Sequence, residues 1–550
     1  MAYWQVRAKL DDENYITEFV AENKWELLNT EHIENGIFTD LINSIQEGEI
    51  LFLADSNIVT HYARCTENFS DGIHIKVDQW KKFNIPIASL NRGNYIKAIS
   101  NIKNHEKIDE LLVNIQPLKV YKLKKLKITN FRLLEKLEVE FNKDVNVIIA
   151  NNGAGKTTLL DAIALGFGSM LTHLPNISGI GFSNDKRDLR INSNNKKEPY
   201  LRIELTSTQN VKWDRIDKRD KSKRTAKQVP NGYGLKELEI FMDTIIDAEH
   251  EGNDYIMPLI MYYGTCRNCF DAPLRKVNFQ KEFNRFEALS GSLKGASNFT
   301  RLFQWFDAME NLEWRDSKEE GRDITYQLPE LKNVRKAIPS MLKGFQNPRI
   351  ENRPLRFMID RVETDGSITE LQIEQLSAGY KAVLAMIMDI SARMSEANPH
   401  LGNKSEAVIL IDELDLHLHP KWQQTILSDL RRTFPNAQFI VTTHSPQILT
   451  TVRKEQVFIL EDNQLKKPFN TAYAKRSVVA LEDLMGIDSK PPLEEAKLLD
   501  KYLEKIHQGE IDSENVLELR EQLNELYGEG YQQLRIADMI INKHLALRNR

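Results

Sequence analysis

The sequence predicts an α/β architecture: a largely parallel sheet with a phosphate-binding loop, an inserted α+β region, a small N-terminal domain that is mainly β or α+β, and a helical C-terminal tail. Three stretches carry that prediction. Asn146–Ala150 is a strand-length apolar run that leads into a Gly-rich loop and then an apolar helix, Thr158–Leu165. Ala407–Ile411 is a second such run and ends in two acids, Asp412 and Glu413. The third, Gln438–Val441, delivers the polar cluster Thr442-Thr443-His444-Ser445-Pro446. Short apolar runs bounded by loops and alternating with helical periodicity are the pattern of strands buried on both faces.

The chain divides accordingly. Residues 1–115 read as a separate accessory domain, with strand-like runs at Glu49–Ala54, Ile58–Ala63 and Ile73–Val77 and a concentration of Trp4, Trp25, Trp80 and Tyr62. Residues 120–170 hold a paired β-edge, Lys122–Ile128 with Leu137–Phe141, and the Gly-rich loop. Residues 171–355 read as an insertion with a hairpin (Tyr200–Ser207 with Val211–Ile216), an apolar strand Met257–Tyr263 and aromatic helices around Phe299–Asn311. Strand–helix alternation resumes over 356–470. The tail, 477–550, carries Leu493, Leu498, Leu499 and Leu503, then Val516, Leu519, Leu523 and Leu526, at helical spacing. Such a stripe serves either as core or as a docking face for a partner.

Composition excludes several classes. No apolar run approaches the ~18 residues a membrane span needs. Three cysteines in 550 residues argue against a disulfide framework. The start of the chain lacks a basic region followed by an apolar stretch, so the expected location is the cytoplasm. A net charge of −5 means that any nucleic-acid contact must come from a local basic patch. Neither internal repeats nor a sustained heptad pattern is present.

Ala150-Asn151-Asn152-Gly153-Ala154-Gly155-Lys156-Thr157 stands between a strand and a helix, the setting a Walker A loop requires. Small residues let the backbone curl so that its N–H groups face a phosphate, and the helix start adds its positive end. Lys156 supplies a point charge to the β- and γ-phosphates, Thr157 a hydroxyl to Mg²⁺, and Thr158 continues the loop into the helix. The first Gly of the pattern is Ala150 here, a small residue that fits if φ is negative. Asp412, at the end of a rigid buried strand, is placed to hold the Mg²⁺ shell. Glu413 is then the general base that polarises the attacking water. His444, delivered by the next strand, is placed to bond the γ-phosphate or that water.

Leu376-Ser377-Ala378-Gly379-Tyr380, followed by an apolar helix, lies between the Walker A loop and the acidic strand, about 30 residues before the latter. It resembles the ABC signature, with Tyr380 in place of the usual Gln. That resemblance implies that Ser377, Ala378 and Gly379 bind the γ-phosphate of ATP held by an opposite protomer. The working unit is then a dimer or higher homo-oligomer. Leu126-Lys127-Ile128-Thr129-Asn130-Phe131-Arg132 resembles the opening strand of SMC, RecF and Rad50 heads, which makes Arg132 a candidate phosphate or adenine contact. The implied fold is an ABC-type, SMC/RecF-like P-loop ATPase head with ATP and Mg²⁺ as cofactors.

The stretch Asp412–Gln423 and the TTHSP cluster look like the ATPases of bacterial defence proteins. In that likeness Asp415 and His417 belong to the loop that crosses the dimer interface. About a hundred residues follow His444, which does not fit a Toprim nuclease, and the stretch between Lys156 and Ser377, 221 positions apart, lacks the heptads of Rad50 or SMC arms. The head, the Met261–Arg267 stretch and the helical tail resemble the PtuA-type ATPases of Septu and retron-associated antiphage systems. That family implies an HNH-type nuclease partner and, in retron versions, a reverse transcriptase with its DNA–RNA product (msDNA). Two other functions fit the same site: a RecF-like repair or recombination ATPase without a toxic partner, and a nucleotide-sensing scaffold with negligible hydrolysis.

Three further features read two ways. Arg215, Lys218, Arg219, Lys221, Lys223 and Arg224, broken by Asp217 and Asp220, are a solvated hairpin tip or a phosphate-backbone contact. Cys266 and Cys269 are two reduced thiols, half a zinc site, or a redox pair. Tyr3-Trp4-Gln5-Val6 with Gly48–Cys65 faintly resembles PUA/EVE-type barrels that read modified bases, against an ordinary interaction domain.

Overall fold

The computed structural model describes residues 3–10, 13–55, 58–86, 98–102, 121–253, 255–265, 283–295, 299–319, 326–511, 513–528 and 530–548. The Cys266/Cys269 pair and Arg267 lie outside the described residues. The chain forms two units, Met1–Lys119 and Val120–Arg550.

In the first unit, Tyr3–Arg7 pairs in parallel with Ile50–Asp55 and antiparallel with Ile99–Asn101. Ile58–Asn68 continues the sheet beside Ile50–Asp55. Trp4, Trp25 and Trp80 are buried together on one side with Phe19 and Leu53. Each indole N–H has a partner: Glu49 for Trp4 (2.7 Å), the Arg7 carbonyl for Trp25 (2.8 Å) and the Lys24 carbonyl for Trp80 (3.2 Å), as buried tryptophans require. The unit is α+β.

The second unit is built on a six-stranded sheet in the order Leu259–Tyr263, Ala407–Ile411, Ala437–Thr442, Val145–Ile149, Val457–Glu461, Gln464–Lys466. The first five strands are parallel and the last is antiparallel. Ala407–Ile411, Ala437–Thr442 and Val145–Ile149 are buried at every position, as central strands covered on both faces must be. All three end at the same edge, where open α/β sheets bind ligands.

A four-stranded antiparallel sheet lies beside it, in the order Leu134–Glu140, Leu123–Phe131, Tyr200–Ser207, Lys212–Lys218. Gln438, fully buried, joins the two sheets. Its Oε1 accepts the Leu123 N–H (2.8 Å) and its Nε2 donates to the Leu123 and Asn142 carbonyls (both 2.7 Å). Both polar ends of the side chain are satisfied, so its burial costs little.

This topology corrects the reading of 171–355 as an insertion. Leu259–Tyr263 pairs in parallel with Ala407–Ile411 along its whole length. The hairpin pairs with Leu123–Phe131. The segment is therefore woven into both sheets of the head.

The tail forms helices Glu494–Gln508, Glu514–Tyr527 and Gln532–Arg548 around a core of their own. Leu499, Tyr502, Ile506, Val516, Leu519, Leu523 and Leu534 are buried there. Leu493 and Leu526, which the leucine stripe includes, are exposed instead (55% and 48%).

Candidate nucleotide site

The phosphate loop leaves the end of Val145–Ile149 and enters the helix Lys156–His173. Gly155 caps that helix with φ of +101°, a conformation open to glycine and costly for a side chain. Lys156 lies inside the loop, its Nζ donating to the Ala150 carbonyl (3.0 Å). Burial pushes its pKa below the ordinary value, against the opposing pull of Asp412, Glu413 and Asp415. A buried ammonium in that position is pre-placed for an anion.

Asp412 sits at the bottom of the site, 1% exposed. Its Oδ2 accepts the Thr157 hydroxyl and its Oδ1 the Thr442 hydroxyl, both at 2.6 Å. The Thr157 hydroxyl and Asp412 carboxylate are hard oxygen donors side by side, and they fit Mg²⁺, which takes few protein ligands and completes its shell with phosphate and water. Among the described residues no His/Cys/Asp/Glu cluster forms an all-protein metal cage.

Glu413 follows in the left-handed region, φ +47°, unusual for a non-glycine residue. The surroundings hold it there: its N–H donates to the Thr442 hydroxyl (2.7 Å), and the Leu414 N–H donates to the Thr442 carbonyl (2.9 Å). Such strain persists where neighbours over-determine it. Thr442 is the residue that sequence reasoning missed. It fixes both acids, and the only signal for it was its place in the polar cluster.

Asp415 belongs to the same clamp. Its Oδ1 accepts the Thr443 hydroxyl (2.5 Å) and the His444 N–H (3.1 Å), fixing His444 beside the loop. These bonds are within its own chain, so a contact of Asp415 with a second copy would have to share the carboxylate with Thr443 and His444. His417 is exposed, with φ of +64°.

His444 lines a cavity of about 390 Å³ together with Ala150, Asn151 and Asn152. The signature opens elsewhere. Ser377 caps the helix Ala378–Ala397, and Ser377 and Ala378 are exposed there, so the positive helix end is uncovered. Ser377 and Gly379 line a different cavity, about 590 Å³, with His417. A Cβ on Gly379 would stand 2.4 Å from the His417 carbonyl oxygen, so only glycine lets these two backbones approach. Gly379→Ala is therefore expected to displace the His417 loop and lower ATP turnover at least about tenfold, with nucleotide binding by the single chain retained. Parallel turnover and equilibrium-binding measurements check this.

Arg132 is ion-paired on two of its nitrogens, with Asp161 (2.5 Å) and Asp188 (2.9 Å). Asp161 lies one helical turn beyond Thr157 and also accepts the Tyr262 hydroxyl (3.0 Å). Arg132 thus braces the loop helix, and a nucleotide contact would have to share it with these carboxylates.

The basic segment divides. Arg215 is removed from the nucleic-acid candidates: its guanidinium donates to the Leu165 (2.5 Å) and Ile180 (2.8 Å) carbonyls and lies over Phe182. Arg219 is bound to Asp220 and the Lys197 carbonyl. Lys218, Lys221, Lys223 and Arg224 are exposed, without an ion pair among the described residues. No described helix is long and apolar enough to cross a membrane.

An AAA-domain family model matches residues 125–344, and a second AAA-domain model matches 293–450. The chain is 28% identical over 462 residues to the "Retron Ec83 probable ATPase" of Escherichia coli, a match spanning 72% of this chain and 82% of that protein. It is 27% identical over 489 residues to the "Retron Vc95 probable ATPase" of Vibrio cholerae, spanning 78% and 89%. Against the "Septu protein PtuA" of Bacillus thuringiensis it is 24% identical over 422 residues, spanning 72% and 90%.

Proposed function

We propose, from its place as a PtuA-type ATP hydrolase with an ABC-type head, that this chain hydrolyses Mg²⁺·ATP between two copies of itself and thereby controls a partner HNH-type nuclease in antiphage defence. In retron-type assemblies a reverse transcriptase and its msDNA would join it, in the cytoplasm. The observation that carries the two-copy reading is the separation of the signature from the phosphate loop: Ser377 and Gly379 open on one cavity, Asn151, Asn152 and His444 on another. A signature that does not face its own loop is free to complete a second copy's.

In this reading the loop N–H groups and Lys156 hold the phosphates. Thr157 and Asp412 would hold Mg²⁺, which would offset charge on the phosphate oxygens. Glu413 accepts a proton from water as the water oxygen attacks the γ-phosphorus and the bond to ADP breaks. His444, held by Asp415, hydrogen-bonds the γ-phosphate or the water. Ser377 and the Ala378–Gly379 backbone of the second copy bring a helix N-terminus to the γ-phosphate.

The test is copurification with the chains encoded beside this one. An HNH-type nuclease retained by the wild-type chain supports the reading; its absence, with DNA-repair partners recovered instead, favours a RecF-like role. The tail helices share a core of their own and are candidates for the docking unit. Deleting the chain after Asp488 is expected to leave ATP binding within about twofold of wild type, because the cut falls outside the loop and acid cluster. Nuclease retention and phage protection should be lost. A truncated chain that still retains the nuclease would move docking to another region.

A further inference from the structure

Each cavity of the candidate nucleotide site is flanked by charge of one sign. The signature cavity carries Lys343, Lys421, His417 and His419 around the rings of Tyr380 and Trp422, whose centroids are 4.3 Å apart, edge to face. Lys343 and Lys421 are exposed and form no ion pair among the described residues. Asp429, also at this cavity, is turned to Arg432 (2.7 Å). The phosphate-loop cavity is walled on its outer side by Asp483–Ile487, with Glu461 beside it. Asp483 is exposed and forms no ion pair among the described residues. Among the described residues Glu461 forms its ion pair with the exposed Lys466 (3.3 Å). Ile487 is 48% exposed at the same rim. This segment begins in a π-helical turn, Ala480–Leu484, a rare form that is frequent at functional sites.

We propose that the segment Asp483–Ile487, through its one acid Asp483 together with the neighbouring Glu461, docks into the basic aromatic groove of Tyr380, Trp422, Lys343 and Lys421 on a second copy of this chain. The proposal rests on the two-copy reading above and names the contact that sets its alignment. The two surfaces adjoin the two halves of one composite site, so bringing a signature to a loop brings the groove to the segment. In a twofold pair the contact occurs twice. Opposite charge steers and aligns the heads, and Ile487 has an aromatic pocket to enter. Because the segment is also a wall of the loop cavity and leads into the tail helices, pairing would couple nucleotide state to the tail.

The test is ATP-dependent self-association by sedimentation in a Glu413→Gln parent, at low and high salt. Lys343→Glu with Lys421→Glu is expected to raise the dimer Kd roughly tenfold at low salt, as is Asp483→Lys with Glu461→Lys. A chain carrying all four reversals should associate about as well as the parent. ATP binding by the isolated Lys343→Glu, Lys421→Glu chain, whose changes lie at the signature cavity and away from its own loop, should be unchanged when measured alongside. Ile487→Arg should also weaken association. A parent that stays monomeric with ATP overturns both this contact and the two-copy reading. A parent that dimerises while the reversals have no effect, or whose loss is not restored in the fourfold variant, overturns this contact alone.

Discussion

Glu413→Gln is expected to lower ATP turnover by about 10²- to 10⁴-fold, the usual contribution of a positioned general base, while ATP binding persists. Glutamine keeps the shape of the side chain and the backbone bonds that hold position 413: its N–H still donates to Thr442, and the left-handed turn is preserved. What is lost is the acceptor for the proton of water. With phosphate contacts intact and hydrolysis blocked, the ATP-bound pair should accumulate. Single-turnover hydrolysis with sedimentation in ATP checks both halves. Turnover at the wild-type rate would remove Glu413 from the base role and direct attention to His444.

Lys156→Ala should act on the earlier step. The loss of one charge-assisted contact to phosphate is expected to weaken ATP binding roughly 10- to 150-fold. The unliganded protein should be no less stable. Lys156 is 7% exposed and donates to loop carbonyls, but burial disfavours its charge, as its lowered pKa records. Removing the ammonium gives up those bonds and relieves that desolvation cost together. Calorimetric titration with ATP and a melting curve without it separate the two effects. Nucleotide affinity equal to wild type would contradict the assignment of the loop.

The central strands were legible because their physics is local. Asn146–Ala150 and Ala407–Ile411 are continuous apolar runs, and a run of that kind ending in Asp412 and Glu413 presents its polar residues at a sheet edge whatever surrounds it. The place of Leu259–Tyr263 was not legible, since its partner is the distant Ala407–Ile411 and pairing between remote strands leaves no trace in either run. Thr442 was hidden for a related reason: a threonine at a strand end looks ordinary until Asp412 and Glu413 are both seen to depend on it.

Arg215 shows how a charge-rich stretch misleads. Read as one basic face, the segment hides the alternation of the strand Lys212–Lys218. Trp213 and Arg215 stand two apart and point the same way, the indole N–H to the Gly166 carbonyl (2.9 Å) and the guanidinium to the Leu165 carbonyl. The fully buried tryptophan two residues earlier was the available signal. Arg132 is similar: its resemblance to a phosphate contact was visible, but its carboxylate partners Asp161 and Asp188 come from separate segments. In the tail, periodicity found the buried face, and the exposed Leu493 and Leu526 mark where the stripe runs beyond the three-helix core.

The most direct measurement of the central claim is complementation between two inactive chains. Ser377→Arg puts a bulky cation where the second copy's γ-phosphate should dock, and its own loop stays sound. Lys156→Ala disables the loop, and its signature stays sound. Each alone should hydrolyse ATP at a small fraction of the wild-type rate. Mixed in equal amounts, half the random pairs join one sound loop to one sound signature, so turnover should recover to about a quarter of wild type per chain, as expected for one working site in each mixed pair. A mixture no more active than its two components would contradict a site shared between copies.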